Sequence, residues 1–180
     1  SVASKKLNKI EQRVHPCFVK LKSDIAKVSN EINAVVVNDS VIGKNIFEGP
    51  GAGAGPTGAS VMSDLMDIIR GTYNYPLGVS IKKKKKLKIQ KIDDLSFPYY
   101  LRITAKDKAG VMAKISKALS KRKISIESII QKPSKRSNFA EIILITHTVK
   151  ESSLLSSIKQ IKRLPEVSSS VKFIRIEDSL

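Results

Sequence analysis

Apolar and polar residues follow two regular rhythms in the second half of the chain. Alternation with a period of two predicts strands there, and a helical period places Met112, Ile115 and Leu119 on one face. The predicted order is strand 99–105, a helix after residue 110, strand 124–130, strand 140–147, helix 151–163 and strand 167–176. This βαββαβ order predicts a ferredoxin-like domain over residues 97–180.

The first part of the chain has shorter patterns. Residues 10–20 alternate like a strand, with Ile10, Gln12 and Val14 on one face. The β-branched run at 33–38 is followed directly by 41–48, which predicts a hairpin with a polar turn.

A helix follows a glycine-rich stretch. Its apolar positions are Val61, Leu65, Ile68 and Ile69, and Gly71 marks its end. Pro56 suits the first helical turn, where a missing N–H costs no hydrogen bond.

These patterns predict an α+β protein with three segments. Residues 1–71 form an incomplete mixed α/β segment, and residues 97–180 form the ferredoxin-like domain. Residues 72–96 have no sustained amphipathic period and contain a run of five lysines, so we expect a surface linker there. A helical or partly packed connection is the alternative.

Composition adds few constraints on function. The net charge is +17, with 9 basic and 7 acidic residues in 1–70 but 17 and 7 in 97–180. Such an excess leaves open a nucleic-acid-binding module. Cys17 is the single cysteine, which fits a reducing, cytoplasmic setting and a half-buried strand position. No run approaches the roughly 18 apolar residues of a membrane span, and we expect no metal site.

The glycine-rich stretch at residues 49–58 contains five of the nine glycines. Residues 53–58 match G-x-G-x-x-G, but the later strand and acidic residue of a dinucleotide fingerprint are missing. Residues 55–58 match the GXXG of a KH domain, although a strand precedes them instead of a helix. A flexible connector and a phosphate-cradling loop before a helix N-terminus remain as alternatives.

Residues 49–57, Gly-Pro-Gly-Ala-Gly-Ala-Gly-Pro-Thr, and the following 63–68 resemble the C-terminal signature of homoserine dehydrogenases. Residues 13–16 and 33–35 resemble the strands that precede it in that family. The sequence departs from the family at residues 58–60, Gly-Ala-Ser, where Ala-Ser-Ala is commoner.

The resemblance implies that the loop lies beside an NAD or NADP cofactor, with Gly51, Gly53 and Thr57 as cofactor-binding positions. It covers only the C-terminal portion of the enzyme and includes neither the nucleotide fingerprint nor the catalytic lysine. No catalytic residue is therefore carried over.

Residues 99–105, 107–112 and 124–129 resemble an ACT domain of the kind fused to homoserine dehydrogenases. The resemblance implies edge-to-edge pairing into a homodimer or higher homo-oligomer, and a small amino acid, threonine, as effector. Asp107 suits an amino group, and N–H groups at the helix start suit a carboxylate. The effector-binding positions are Asp107, Ala109, Gly110, Val111 and Met112. A plain turn and helix cap is the alternative.

The sequence thus predicts a C-terminal fragment of a cytoplasmic homoserine dehydrogenase, inactive alone, with an amino-acid-sensing domain. The complete enzyme would interconvert L-homoserine and L-aspartate 4-semialdehyde in threonine, methionine and isoleucine biosynthesis. The first alternative is a stand-alone regulatory or dimerisation subunit. Specific nucleic-acid binding is disfavoured because residues 139–145 are mainly aliphatic and lack the stacking aromatics of an RNA-binding sheet. A membrane partner is not expected.

Overall fold

The computed structural model describes residues 1–6, 8–72, 86–134 and 138–178. The strands are β1 (Val2–Lys6), β2 (Lys9–Arg13), β3 (Cys17–Val19), β4 (Ile32–Asp39), β5 (Gly43–Pro50), β6 (Lys88–Ile89), β7 (Ser96–Phe97), β8 (Tyr99–Lys106), β9 (Ile126–Pro133), β10 (Phe139–Thr146), β11 (Val149–Lys150) and β12 (Val167–Glu177). The helices are α1 (Ala54–Ile69), α2 (Val111–Ser120) and α3 (Glu151–Ile161), and short 3-10 turns occur at Asp24–Lys27 and Ile92–Asp94.

The chain divides into two compact units. The first combines Ser1–Phe18 with Leu87–Asp178, and the second contains Val19–Lys86. This division differs from the segments expected from the sequence, because the first 18 residues join the unit that contains the ferredoxin-like domain. Sequence periodicity does not show such a long-range association.

A five-stranded sheet in the order β3-β12-β8-β10-β9 forms the centre of the first unit. Strand β8 pairs antiparallel with both β10 and β12, and β10 pairs antiparallel with β9. Together with helices α2 and α3, strands β8, β9, β10 and β12 have the predicted βαββαβ order, so the ferredoxin-like prediction is confirmed. Strand β3 adds a fifth strand from the start of the chain.

The core lies between this sheet and the two helices. Alternate residues of β8 and β10 are buried, as a sheet with one covered face requires. Ile115 and Leu119 of α2 are fully buried, and Met112 packs against the core at its edge. In α3, Leu154, Ile158 and Ile161 are buried. Leu155, the remaining apolar residue of this helix, is 39% exposed, because it lies beside the buried stripe and not in its centre.

The expected linker at residues 72–96 contains paired strands in the part that the structure describes. Residues 73–85, including most of the lysine run, lie outside the described residues. Beyond them, β6 pairs in parallel with β2, and β7 pairs with β11. Leu95 is buried as well. These elements have two residues each and show no period in the sequence, so their packing could not be predicted from it.

Strand β2 alternates as the sequence predicts, and its charged face is the buried one. Ile10 is half-buried and Val14 is 85% exposed, whereas Glu11 and Arg13 are 5% and 9% exposed. Charged residues usually face solvent. Glu11 and Arg13 are buried here because Arg13 forms ion pairs with Glu11 and with Glu177 of β12.

The second unit contains the predicted hairpin and helix. Strands β4 and β5 pair from Ile32↔Pro50 to Asp39↔Gly43, which confirms the hairpin. In the turn, the N–H of Val41 donates to Asp39 Oδ1 at 2.7 Å. This bond and a second one from Ile42 N–H lower the pKa of the Asp39 carboxyl.

Helix α1 begins earlier than its apolar pattern indicated. It includes Gly55 to Gly58 of the glycine stretch, and Pro56 lies in its first turn as expected. Every residue of α1 is exposed, including the apolar Val61, Leu65 and Ile68. The described residues therefore leave the apolar face of this helix uncovered, as we expect of an incomplete segment.

The fold predicts unequal effects of two leucine substitutions. Leu144 is fully buried in β10, so Leu144→Ala should reduce the free energy of unfolding of the first unit by about 2–5 kcal/mol. Leu155→Ala is the matched control, because Leu155 is 39% exposed, and should cost less than about 1 kcal/mol. Urea denaturation followed by circular dichroism measures both values. Equal losses would contradict the assigned core.

Candidate functional site

The connection from β8 to α2 forms a tight turn held by backbone hydrogen bonds. The N–H of Asp107 donates to the carbonyl of Asn138 at 3.0 Å, and the N–H of Val111 donates to that of Lys108 at 3.3 Å. Gly110 has φ +84° and ψ −12°, in the left-handed region that glycine enters at little cost. The turn therefore ends on a glycine directly before α2.

Helix α2 begins without a capping side chain. Gly110 is its N-cap residue and has no side chain that could accept a hydrogen bond from the first N–H groups of the helix. The first N–H groups of a helix have no intrahelical acceptor, and the helix dipole places partial positive charge there. This end of α2 therefore favours an anionic group such as a carboxylate.

A cavity of about 270 Å³ opens at this turn. Its floor includes the buried Val111, Ala140 and Ile142. The complete lining is Lys106, Asp107, Lys108, Ala109, Gly110, Val111, Met112, Gln131, Ala140 and Ile142. All five residues predicted as effector-binding positions thus line one cavity, with an apolar floor and a polar rim.

Gln131 of β9 is a rim residue that the sequence did not indicate. Its Nε2 donates to Asp107 Oδ1 at 3.2 Å, which fixes one carboxylate oxygen across the cavity. Gln131 is 24 residues from Asp107 in the chain, and only the pairing of β9 with β10 brings them together. The available signal was a polar residue directly after the apolar Ile129-Ile130.

The charges around the cavity match a zwitterion. Asp107 supplies a carboxylate, and Lys106, Lys108 and the α2 N-terminus supply positive charge. A small amino acid carries one group of each sign and a short side chain. The arrangement offers partners for both charges and an apolar floor for the side chain.

The three predicted cofactor positions lie on exposed backbone in the second unit. Gly51 donates its N–H to the carbonyl of Glu31 at 2.8 Å, beside the end of the hairpin. A Cβ at Gly51 would lie 1.8 Å from Asn33 Nδ2, so a larger residue there requires the Asn33 side chain to move. Gly51 thus lets the Asn33 side chain lie against the backbone at the end of the hairpin.

Gly53 and Thr57 mark the start of α1. Gly53 is the N-cap residue with φ +116°, and Thr57 N–H donates to its carbonyl at 3.1 Å. No side chain caps this end, and a Cβ at Gly53 would meet no atom closer than 3.5 Å. The open helix start has the features that a phosphate or similar anion needs.

The remaining features that the sequence raised are the single cysteine, a metal site and a membrane span. Cys17 is half-buried in β3, as expected. Among the residues that the structure describes, no group of three His, Cys, Asp or Glu side chains could hold a metal ion. Within the same residues, no helix is both long and apolar enough to cross a membrane.

Two family models match the chain, one over each of these regions. The homoserine dehydrogenase model matches residues 1–66, which include the glycine loop, and the ACT domain model matches residues 99–166, which include the cavity. The chain is a homoserine dehydrogenase C-terminal region joined to an ACT domain. This confirms both resemblances that the sequence indicated.

Individual relatives match across the whole chain. A homoserine dehydrogenase of Helicobacter pylori is 34% identical over 98% of this chain and 42% of its own length. One from Pseudomonas aeruginosa is 37% identical over 98% and 42%. The crystal structure of a homoserine dehydrogenase from Thiobacillus denitrificans superposes with a TM-score of 0.83 at 32% identity, over 98% of this chain and 41% of that one. The chain thus spans about two fifths of the length of these relatives.

The close packing at Gly51 leads to a prediction for the homoserine dehydrogenase segment. Gly51→Ala should destabilise the β4–β5 hairpin by about 1 kcal/mol, because the new Cβ displaces the Asn33 side chain. Amide exchange of the hairpin measures the change. Gly49→Ala is the control, since a Cβ at Gly49 meets nothing within 4 Å. The double substitution Asn33→Ala/Gly51→Ala should recover the loss, and no recovery would refute the steric explanation.

Proposed function

We propose that this chain is the regulatory end of a homoserine dehydrogenase and that its ACT domain binds a small amino acid, threonine. The complete enzyme interconverts L-homoserine and L-aspartate 4-semialdehyde with NAD or NADP, in the cytoplasm. The observation that carries the regulatory half is the cavity at residues 106–112, which has a carboxylate, a helix N-terminus and an apolar floor.

The polar groups of the cavity support a defined orientation of the effector. Its amino group would bind Asp107, whose Oδ1 is already held by Gln131. Its carboxylate would bind the backbone N–H groups at the start of α2, next to Gly110. The side chain would then lie on Ala140 and Ile142. Threonine, the effector that the family resemblance implies, has a methyl group that suits this apolar floor.

The glycine loop supports a cofactor role in the complete enzyme. Gly53 and Thr57 would offer the open start of α1 to an anionic part of NAD or NADP, with Gly51 close by. The bound nicotinamide would supply hydride transfer. The exposed apolar face of α1 fits a complete enzyme in which further protein covers this helix, because a surface of this kind marks a protein interface.

The edge of the ACT sheet supports a homo-oligomer. Strand β9 lies at the end of the strand order, so one side of its backbone is unpaired within the sheet. Ile129 and Ile130 on it are 46% and 50% exposed. Exposed apolar edge strands pair readily with a second chain. We propose that two ACT domains pair along β9.

The effector proposal is tested by calorimetry on the 180-residue chain. Wild-type protein should bind L-threonine, and Asp107→Asn should weaken binding by about tenfold or more, because loss of a charge-assisted hydrogen bond costs about 1.5–3 kcal/mol. Asp93→Asn is the matched control, since Asp93 is exposed and outside the cavity. It should leave the dissociation constant unchanged.

Two results would count against the proposal. Folded wild-type protein that binds no proteinogenic amino acid would refute the effector role. Equal effects of Asp107→Asn and Asp93→Asn would show that the cavity is not the binding site. A dehydrogenase assay on the complete gene product separates the enzyme from a stand-alone regulatory subunit.

A further inference from the structure

A buried cluster of charges joins the start of the chain to its last strand. Arg13 Nε in β2 donates to Glu11 Oε1 at 2.5 Å, and Arg13 Nη2 donates to Glu177 Oε2 in β12. The guanidinium carbon lies 4.7 Å from the centre of the Phe97 ring. All four residues are at most 9% exposed. We call these four residues, Glu11, Arg13, Phe97 and Glu177, the arginine clamp.

The arginine clamp connects the two family segments. Glu11 and Arg13 lie in the part matched by the homoserine dehydrogenase model, residues 1–66. Phe97 and Glu177 flank the ACT match at residues 99–166. The strand that carries Arg13 also pairs with β6 of the first unit, where Gln90 N–H donates to the carbonyl of Ile10 at 2.9 Å. Within the first unit, strand β2 is therefore held by backbone and side-chain contacts to the part that contains the ACT domain.

The central strand β8 extends from the proposed effector cavity to the arginine clamp. Its last residue, Lys106, lines the cavity, and its first residue, Tyr99, contacts the Phe97 ring edge-on at 6.1 Å. Tyr99, Leu101, Ile103 and Ala105 are fully buried along its length. An eight-residue strand spans about 26 Å. A rigid, fully packed element therefore joins the two sites.

The end of β8 near the clamp is fixed by a second ionic cluster. Tyr99 Oη donates to Glu151 Oε2 at 2.5 Å, and Arg175 Nε donates to the same oxygen at 2.9 Å. Arg175 pairs with Tyr99 in the sheet register and lies two residues before Glu177. The position of Glu177, and hence of Arg13, thus depends on β8, whose other end lines the cavity.

We infer that the arginine clamp makes β2 part of the cooperative unit that the effector stabilises, so that effector binding in the ACT domain reaches the dehydrogenase segment through Arg13. This inference rests on the proposed effector function. Its physical basis is linkage: a ligand that binds only the folded unit stabilises every element that unfolds with that unit. Arg13 acts here as a positioning residue and touches no substrate.

Hydrogen exchange on the 180-residue chain tests the coupling. With L-threonine at about 100 times its dissociation constant, amides that exchange through unfolding of the unit gain about 100-fold protection. In wild-type protein the gain should be equal in β2 and β8. For Arg13→Met, L-threonine is again added at about 100 times that variant's own dissociation constant. Strand β8 should keep its gain in protection, whereas β2 should gain less than about tenfold.

A second variant covers the case in which Arg13→Met does not fold. Glu177→Gln keeps the shape of the side chain and removes the negative charge that pairs with Arg13. This variant should also lower the gain in protection of β2 and leave the gain in protection of β8 unchanged. Lys44→Met is the control, because it removes the exposed ion pair with Asp24 in the other unit. It should change neither gain.

The outcomes separate the inference from the proposed function. Wild-type protein that binds L-threonine without extra protection of β2 overturns the inference alone. Full protection of β2 in both Arg13→Met and Glu177→Gln also overturns it, because the coupling would not need the clamp. A wild-type chain that binds no L-threonine overturns the effector proposal together with this inference.

Discussion

The first unit depends on strand β8, which is fully buried on one face and paired on both edges. Its neighbours β10 and β12 align with it, and the helices α2 and α3 cover its buried side chains. An inner strand of this kind leaves neither a backbone edge nor its apolar face to solvent. Its two ends are therefore fixed positions, and the features of functional interest in this unit lie at these ends.

Each end of β8 holds polar groups in a different way. At Lys106 the chain turns into α2 through Gly110, which has no side chain to cap the helix, so the helix start is open toward the cavity. At Tyr99 the polar groups are instead closed off, since Glu151 and Arg175 satisfy one another in the interior. Open helix N–H groups suit a ligand, whereas a satisfied buried network gives rigidity.

The ACT domain was largely predictable from local patterns. Its strands and helices follow simple periods, and Ile115, Leu119 and Leu144 are buried as those periods require. The turn at residues 107–112 was predictable too, because its residues are adjacent in sequence. Gln131 was not, since its approach to Asp107 depends on sheet pairing. The burial of Arg13 could not be predicted for the same reason, because its partner Glu177 is 164 residues away.

Local sequence patterns are enough to predict the two family segments, the βαββαβ order, the β4–β5 hairpin and the helix-opening glycines. These features depend on periodicity and on residues close together in the chain. Long-range contacts in the fold are needed to place residues 1–18 in the first unit, to pair the short strands within residues 87–96 and to turn Glu11 and Arg13 inward. Burial of a charge is stable only beside a partner, and partners distant in sequence become neighbours only in the fold.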